Sequence, residues 1–164
     1  MRLRVSGIVK ESIVDGPGIR LVVFAQGCDR ACPGCHNPGT HASDGGYEVD
    51  LNEITGMAAA NPLLRGLTFS GGEPFLQAPT FARLAEMAHS AGLDIITYTG
   101  FTIEEILERE VGVGDGFRAL LSQTDILVDG PYIAERRTLD APYRGSDNQR
   151  VIDVAATLAQ LREE

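Results

Sequence analysis

Three cysteines occur in this 164-residue chain, and all of them fall between Cys28 and Cys35. They stand as Cys28-x-x-x-Cys32-x-x-Cys35 within Gly27-Cys28-Asp29-Arg30-Ala31-Cys32-Pro33-Gly34-Cys35-His36-Asn37, directly after an apolar run. An odd number of clustered thiols cannot close into pairs, so the set reads as metal ligands in a reducing compartment and not as a disulfide frame. Three thiolates can hold three corners of a [4Fe–4S] cube and leave the fourth iron open to a substrate. Pro33 and Gly34 suit a loop that folds back until the sulfurs converge, which a continuous helix does not allow. On the array alone, structural zinc with His36 as a fourth ligand is the alternative. Neighbouring side chains such as Cys35 and His36 diverge, which counts against zinc and makes His36 a contact of the loop or cofactor. Three ordinary buried thiols would require coincidence at three positions.

The second constellation is Ser70-Gly71-Gly72-Glu73-Pro74, at the end of the apolar run Leu67 to Ser70. Two glycines let the backbone approach a ligand closely, and Glu73 offers a carboxylate to an ammonium group. Standing alone, the segment reads first as a tight strand-to-helix turn with a solvated glutamate. Thr99 and Asp129 fall at the carboxyl ends of predicted strands, the edge at which parallel sheets build their sites. Asp129-Gly130-Pro131 is also an ordinary exit turn, and Arg144 and Arg150 read as surface charges, Arg150 above all. The run Gly112 to Gly116 lacks a lysine and a preceding strand, so it is a connection and not a phosphate loop. No general base, Ser–His pair or dinucleotide fingerprint is evident. Catalytic residues beyond a cluster and a bound cofactor are therefore not assigned.

The elements that must position these groups follow from hydrophobic pattern. Strands are predicted at Ile19 to Ala25, Gly66 to Ser70, Leu93 to Thr99, Asp125 to Asp129 and Arg150 to Ile152, with a further candidate at Leu3 to Val9. Between them, Thr80 to Ser90 places Phe81, Leu84, Ala85 and Ala88 on one helical face, with Gly92 as its stop. Thr102 followed by Glu105 forms a capping-box pattern for a helix through Ile106 and Leu107. Leu51 to Ala60, Phe117 to Leu121 and Val154 to Leu161 are the other helical candidates. Alternating strands and helices predict an α/β fold with a mostly parallel sheet, in one domain over residues 1–164. A complete eight-unit barrel takes about 250 residues and at least ~200, so five or six strands predict an open or partial (β/α) barrel.

Composition narrows the function classes. Hydrophobic residues make up 43% and charged residues 23%, which excludes collagen-like, low-complexity and disordered chains. With 14 Lys and Arg against 23 Asp and Glu, the net charge of −9 repels phosphate backbones and anionic lipid. Neither nucleic acid nor a membrane is expected as a partner. No signal-like apolar core follows Arg2 and Arg4, and no run approaches a membrane span, so a cytoplasmic protein is expected.

Taken together, the cysteine array and the Gly71-Gly72-Glu73-Pro74 turn resemble the radical S-adenosylmethionine enzymes. The resemblance implies a [4Fe–4S] cluster on Cys28, Cys32 and Cys35, with S-adenosylmethionine chelated at the open iron through its amino and carboxylate groups. It further implies a cofactor site lined by Gly34, Cys35, His36, Ser70, Gly71, Gly72, Glu73, Thr99 and Asp129. Asp15-Gly16-Pro17-Gly18-Ile19-Arg20, Tyr98-Thr99-Gly100, Ile126 to Gly130 and Arg144-Gly145-Ser146-Asp147-Asn148-Gln149 are similar to segments of the anaerobic ribonucleotide reductase activating proteins. Pyruvate formate-lyase activating enzymes share the first of these and the Gly-Gly-Glu-Pro turn but are longer. Asp15 to Gly18 also suits a plain β-turn.

The activity so implied is reductive cleavage of S-adenosylmethionine to a 5′-deoxyadenosyl radical, which takes hydrogen from a glycine of a large anaerobic ribonucleotide reductase. A flavodoxin- or ferredoxin-like protein would supply the electron. With three cysteines, no all-cysteine auxiliary cluster can be built. Two alternatives stand beside this reading: a radical enzyme of the same fold acting on another glycyl-radical protein, a peptide or a small molecule, and a non-enzymatic cluster sensor or electron carrier.

Overall fold

The apolar run that ends just before Cys28 forms β2 (Ile19–Ala25), buried along most of its length. A computed structural model describes residues 1–29, 38–109 and 115–162 of the chain. Beside β2 lie β4 (Leu64–Gly71), β5 (Asp94–Tyr98) and β6 (Ile126–Asp129), each parallel to its neighbour. Strands covered on both faces read as continuous apolar runs, which is why these four were legible. The sheet has the order β3-β1-β2-β4-β5-β6-β7.

Its outer strands run antiparallel. Residues 13–18 join β1 (Arg2–Ser12) to β2, a link too short for the crossover that parallel strands require. On the far side of β1 pairs β3 (Tyr47–Asp50), a strand not predicted from sequence because Val49 is its one buried side chain. At the opposite edge β7 (Arg150–Asp153) turns back against β6. The sheet thus has seven strands where five or six were expected, with a parallel centre and antiparallel flanks.

The helices α1 (Leu51–Ala59), α2 (Ala78–Ser90), α3 (Ile103–Glu108), α4 (Phe117–Gln123) and α5 (Val154–Arg162) fall close to their predicted spans. Leu21, Val23, Leu67, Phe69, Ile95 and Leu127, at alternate strand positions, join Phe81, Leu84, Ile106 and Leu120 of the helices in one core. Asp50 caps α1 by accepting from Asn52 N at 2.8 Å, and Thr102 caps α3 by accepting from Glu105 N at 3.2 Å. Gly92, at φ 80°, turns the chain out of α2 as predicted.

Arg20, Val22, Thr68 and Ile96 lie at the strand positions between these, and the loop 13–18 folds against Arg20, Thr68 and Ile96. Thr68 Oγ1 donates to Asp15 O at 2.8 Å, and a Cβ at Gly16 would collide with Ile96 and Arg20. The Asp-Gly-Pro-Gly segment is therefore a fitted cover and not merely a turn. Arg20 is fully buried beneath it, donating to Thr68 Oγ1, Pro17 O, Leu67 O and Asp94 Oδ1. Among the described residues no helix is long and apolar enough to cross a membrane.

Candidate active site

Because β2, β4, β5 and β6 run in parallel, their exits meet at one edge, and the predicted site residues are on those exits. Cys28 follows β2, Ser70 to Glu73 close β4, Thr99 follows β5 and Asp129 ends β6. Cys32, Gly34, Cys35 and His36 lie outside the described residues, as does most of the run Gly112 to Gly116.

The cysteine loop is fastened at its base. Gly27 N donates to Thr40 O at 2.6 Å and Cys28 N to His41 O at 3.1 Å, so the returning chain lies beside the outgoing one. Buried Gln26 adds side-chain bonds to Gly39 O at 3.1 Å and Ala42 O at 2.7 Å. Gln26, Thr40 and His41 were missed from sequence, where an isolated Gln, Thr or His carries no spacing signal. The Cys28 side chain is half-buried.

The β4 turn is bonded directly onto this base, Gly72 N to Ala25 O at 2.7 Å and Glu73 N to Gly27 O at 2.8 Å. A Cβ at Gly71 would come within 2.6 Å of Ala25 N, and one at Gly72 would run into the Gly27 carbonyl. Only glycine lets the two backbones come this close, so the Gly-Gly pair sets the distance between the turn and the cysteine loop.

Two carboxylates expected at the site are engaged with the protein. Glu73, 1% exposed, receives Thr99 Oγ1 at 2.8 Å, Gly100 N at 2.8 Å and Phe75 N at 3.1 Å. Asp129, fully buried, receives Ile103 N at 2.8 Å and Arg150 Nε at 2.9 Å. The reading of Arg150 as a solvated surface charge is corrected here: its guanidinium also forks onto Glu104 at 3.0 and 2.7 Å. That hydrogen-bonded pairing holds the Glu104 carboxyl down at about 2 and raises Arg150 further. Beside Thr99, Tyr98 is largely buried, and burial followed by the charges of Asp15 and Tyr143 raises its phenol well above the ordinary value.

A family model described as a 4Fe-4S single cluster domain matches residues 14–152. The chain is 33% identical over 145 residues to the anaerobic ribonucleoside-triphosphate reductase-activating protein of Vibrio cholerae serotype O1, covering 84% of this chain and 89% of that protein. The chain belongs to the family of anaerobic ribonucleoside-triphosphate reductase-activating proteins. The activating protein of enterobacteria phage T4 is 31% identical over 144 residues, covering 84% of this chain and 86% of its own. A pyruvate formate-lyase-activating enzyme of Clostridium pasteurianum is 37% identical over 119 residues, 64% of this chain and 48% of that enzyme.

The activating-protein family is a group of radical S-adenosylmethionine enzymes, and its cofactors are a [4Fe–4S] cluster and S-adenosylmethionine. That sets aside the zinc and sensor readings. The described residues suit these groups: Cys28 brings a soft thiolate donor to the edge where the glycine turn exposes backbone. At the loop's base the ring nitrogen His41 Nε2 is buried with no hydrogen-bond partner among the described residues.

Proposed function

We propose that this chain installs a glycyl radical on a large anaerobic ribonucleotide reductase. The observation that carries the reading is the junction of Cys28 with the Gly71–Gly72 turn at one sheet edge, in a chain one-third identical to a reductase activator over most of its length. Cys28, Cys32 and Cys35 hold the cluster, and Ser70, Gly71 and Gly72 line the cofactor together with Gly34, Cys35 and His36 of the cysteine loop. When bound, the cluster and S-adenosylmethionine supply one-electron reductive cleavage to methionine and a 5′-deoxyadenosyl radical. The chain's own work is to hold those groups beside each other, to orient them and to keep water away. A flavodoxin- or ferredoxin-like protein delivers the electron in the cytoplasm, and the whole of residues 1–164 acts as one radical S-adenosylmethionine domain whose sheet curls as a partial barrel.

The test mixes the reduced, cluster-loaded protein, S-adenosylmethionine and a candidate reductase without oxygen, and records electron paramagnetic resonance. A glycyl doublet that disappears when the reductase glycine becomes alanine supports the proposal. Deoxyadenosine formed without any radical on the reductase overturns it. The 37% identity to a formate-lyase activator favours a second reading, in which another glycyl-radical enzyme is the substrate. The same spectrum recorded with such a protein distinguishes the two.

A further inference from the structure

The loop from β5 into α3 is gripped from both sides by buried carboxylates of the neighbouring strands. From β4, Glu73 takes the Thr99 hydroxyl and the Gly100 amide; from β6, Asp129 takes the Ile103 amide. Backbone bonds close the same grip, with Thr99 N on Val128 O at 3.0 Å and Gly130 N on Phe101 O at 2.9 Å. The Thr99 hydroxyl works in two directions, donating to Glu73 and accepting Phe101 N at 3.1 Å. Glu73 is also joined through its own amide to Gly27, next to Cys28. One residue, through its amide and its carboxylate, thereby ties the exits of β2, β4 and β5 to one another.

We infer that Glu73 and Thr99 are a positioning pair: Glu73 acts on the bound cofactor through Thr99 and Gly100, fixing the backbone that lines the site, and is not itself the partner of the cofactor's ammonium group. This rests on the proposed S-adenosylmethionine site. The chemistry favours the pair because hydrogen bonds to an ionised carboxylate in a buried setting are short, directional and stronger than neutral ones. Losing the hydroxyl takes one donor from Glu73 Oε1, which keeps Phe75 N, and takes the Thr99 acceptor from Phe101 N, and the loop relaxes.

Thr99→Val, Thr99→Ser, Glu73→Gln and the double variant Thr99→Val/Glu73→Gln test it in the cluster-loaded chain. S-adenosylmethionine affinity is measured by equilibrium dialysis, and amide hydrogen exchange of the peptide holding Gly100 is followed without the cofactor. Thr99→Val is expected to weaken binding about tenfold, the scale of one lost hydrogen bond to a charged group, and to speed Gly100 exchange. Thr99→Ser should keep both near wild type, since the hydroxyl remains. In the double variant, binding should fall no further than in Glu73→Gln alone, because both changes break one device. Normal binding and exchange in Thr99→Val, alongside lost binding in Glu73→Gln, overturn the inference and make Glu73 a direct contact. A wild-type chain that takes up the cluster but binds no S-adenosylmethionine removes the site itself, a separate outcome.

Discussion

Arg150 on β7 reaches back to Asp129 at the end of β6, its Nε 2.9 Å from Oδ1, while its other nitrogens hold Glu104 in the first turn of α3. Asp129 in turn caps the Ile103 amide. One guanidinium thus joins the antiparallel edge strand to the helix that follows the site loop.

Removing that guanidinium leaves Asp129 buried and without its cation, which is the costly way to break an ion pair. Arg150→Ala is expected to destabilise the fold by about 3 kcal/mol in urea titration, the lower end for such pairs because Arg150 itself is half-exposed. Glu104→Gln should cost well under about 1 kcal/mol, since that carboxylate is mostly in water. Equal losses in the two variants would contradict the assignment of Asp129 as the anchoring partner.

A methyl group at Gly72 has nowhere to go, because it meets the Gly27 carbonyl, which is backbone and cannot rotate aside. Gly72→Ala should push the β4 turn away from Cys28. A displacement near ~1 Å costs about a hundredfold in a positioned reaction. Deoxyadenosine yield is expected to fall by that order while the iron content of the reconstituted protein stays close to wild type. Unchanged yield would show that the turn does not set the geometry.

Iron uptake tests the cysteine array directly. Anaerobic reconstitution should give about four iron per chain, as one cubane cluster requires. Cys28→Ala, Cys32→Ala and Cys35→Ala should each lose most of that iron and all S-adenosylmethionine cleavage, because the chain holds no fourth thiol. Stable stoichiometric zinc with no iron uptake would be the contrary result.

His89, near the end of α2, is placed between Gln123 Oε1 and Asp125 Oδ2, each at 2.9 Å from a ring nitrogen. The charged imidazolium is the form that can donate to both of these oxygens. Burial opposes the charge, yet the bonds to Asp125 and Gln123 outweigh it and the pKa is raised. A raised folded-state pKa gives stability that is complete below the unfolded value of about 6.5 and is lost as pH climbs through the folded value. Thermal melts should therefore show this contribution at pH 6 and lose it on the alkaline side. In His89→Gln that portion of the pH dependence should vanish, with activity unaffected at the distant edge.

The four parallel strands and the helices were legible because their signals are local: apolar runs of strand length, Phe81 and Leu84 at helical spacing, Thr102 before Glu105. The antiparallel flanks were less so. β3 carries one buried side chain, and β7 offers only Arg150 to Asp153, too short to declare its direction. Of the site, the cysteine spacing and the Gly71–Gly72 turn were plain, since both put unusual residue types at fixed short intervals.

Chemistry was written in the sequence itself: three thiols within eight residues, a glycine turn at a strand exit, and an excess of acidic over basic residues. The partners of the carboxylates were decided by tertiary structure. Glu73 meets Thr99, and Asp129 meets Ile103, each across 26 positions of chain. Such pairs form only when parallel pairing sets neighbouring strand exits level with one another. A glutamate after two glycines looks the same in sequence whether it faces a ligand or the next loop. Strand register, built from backbone hydrogen bonds and the packing of Leu67, Ile95 and Leu127, makes that choice.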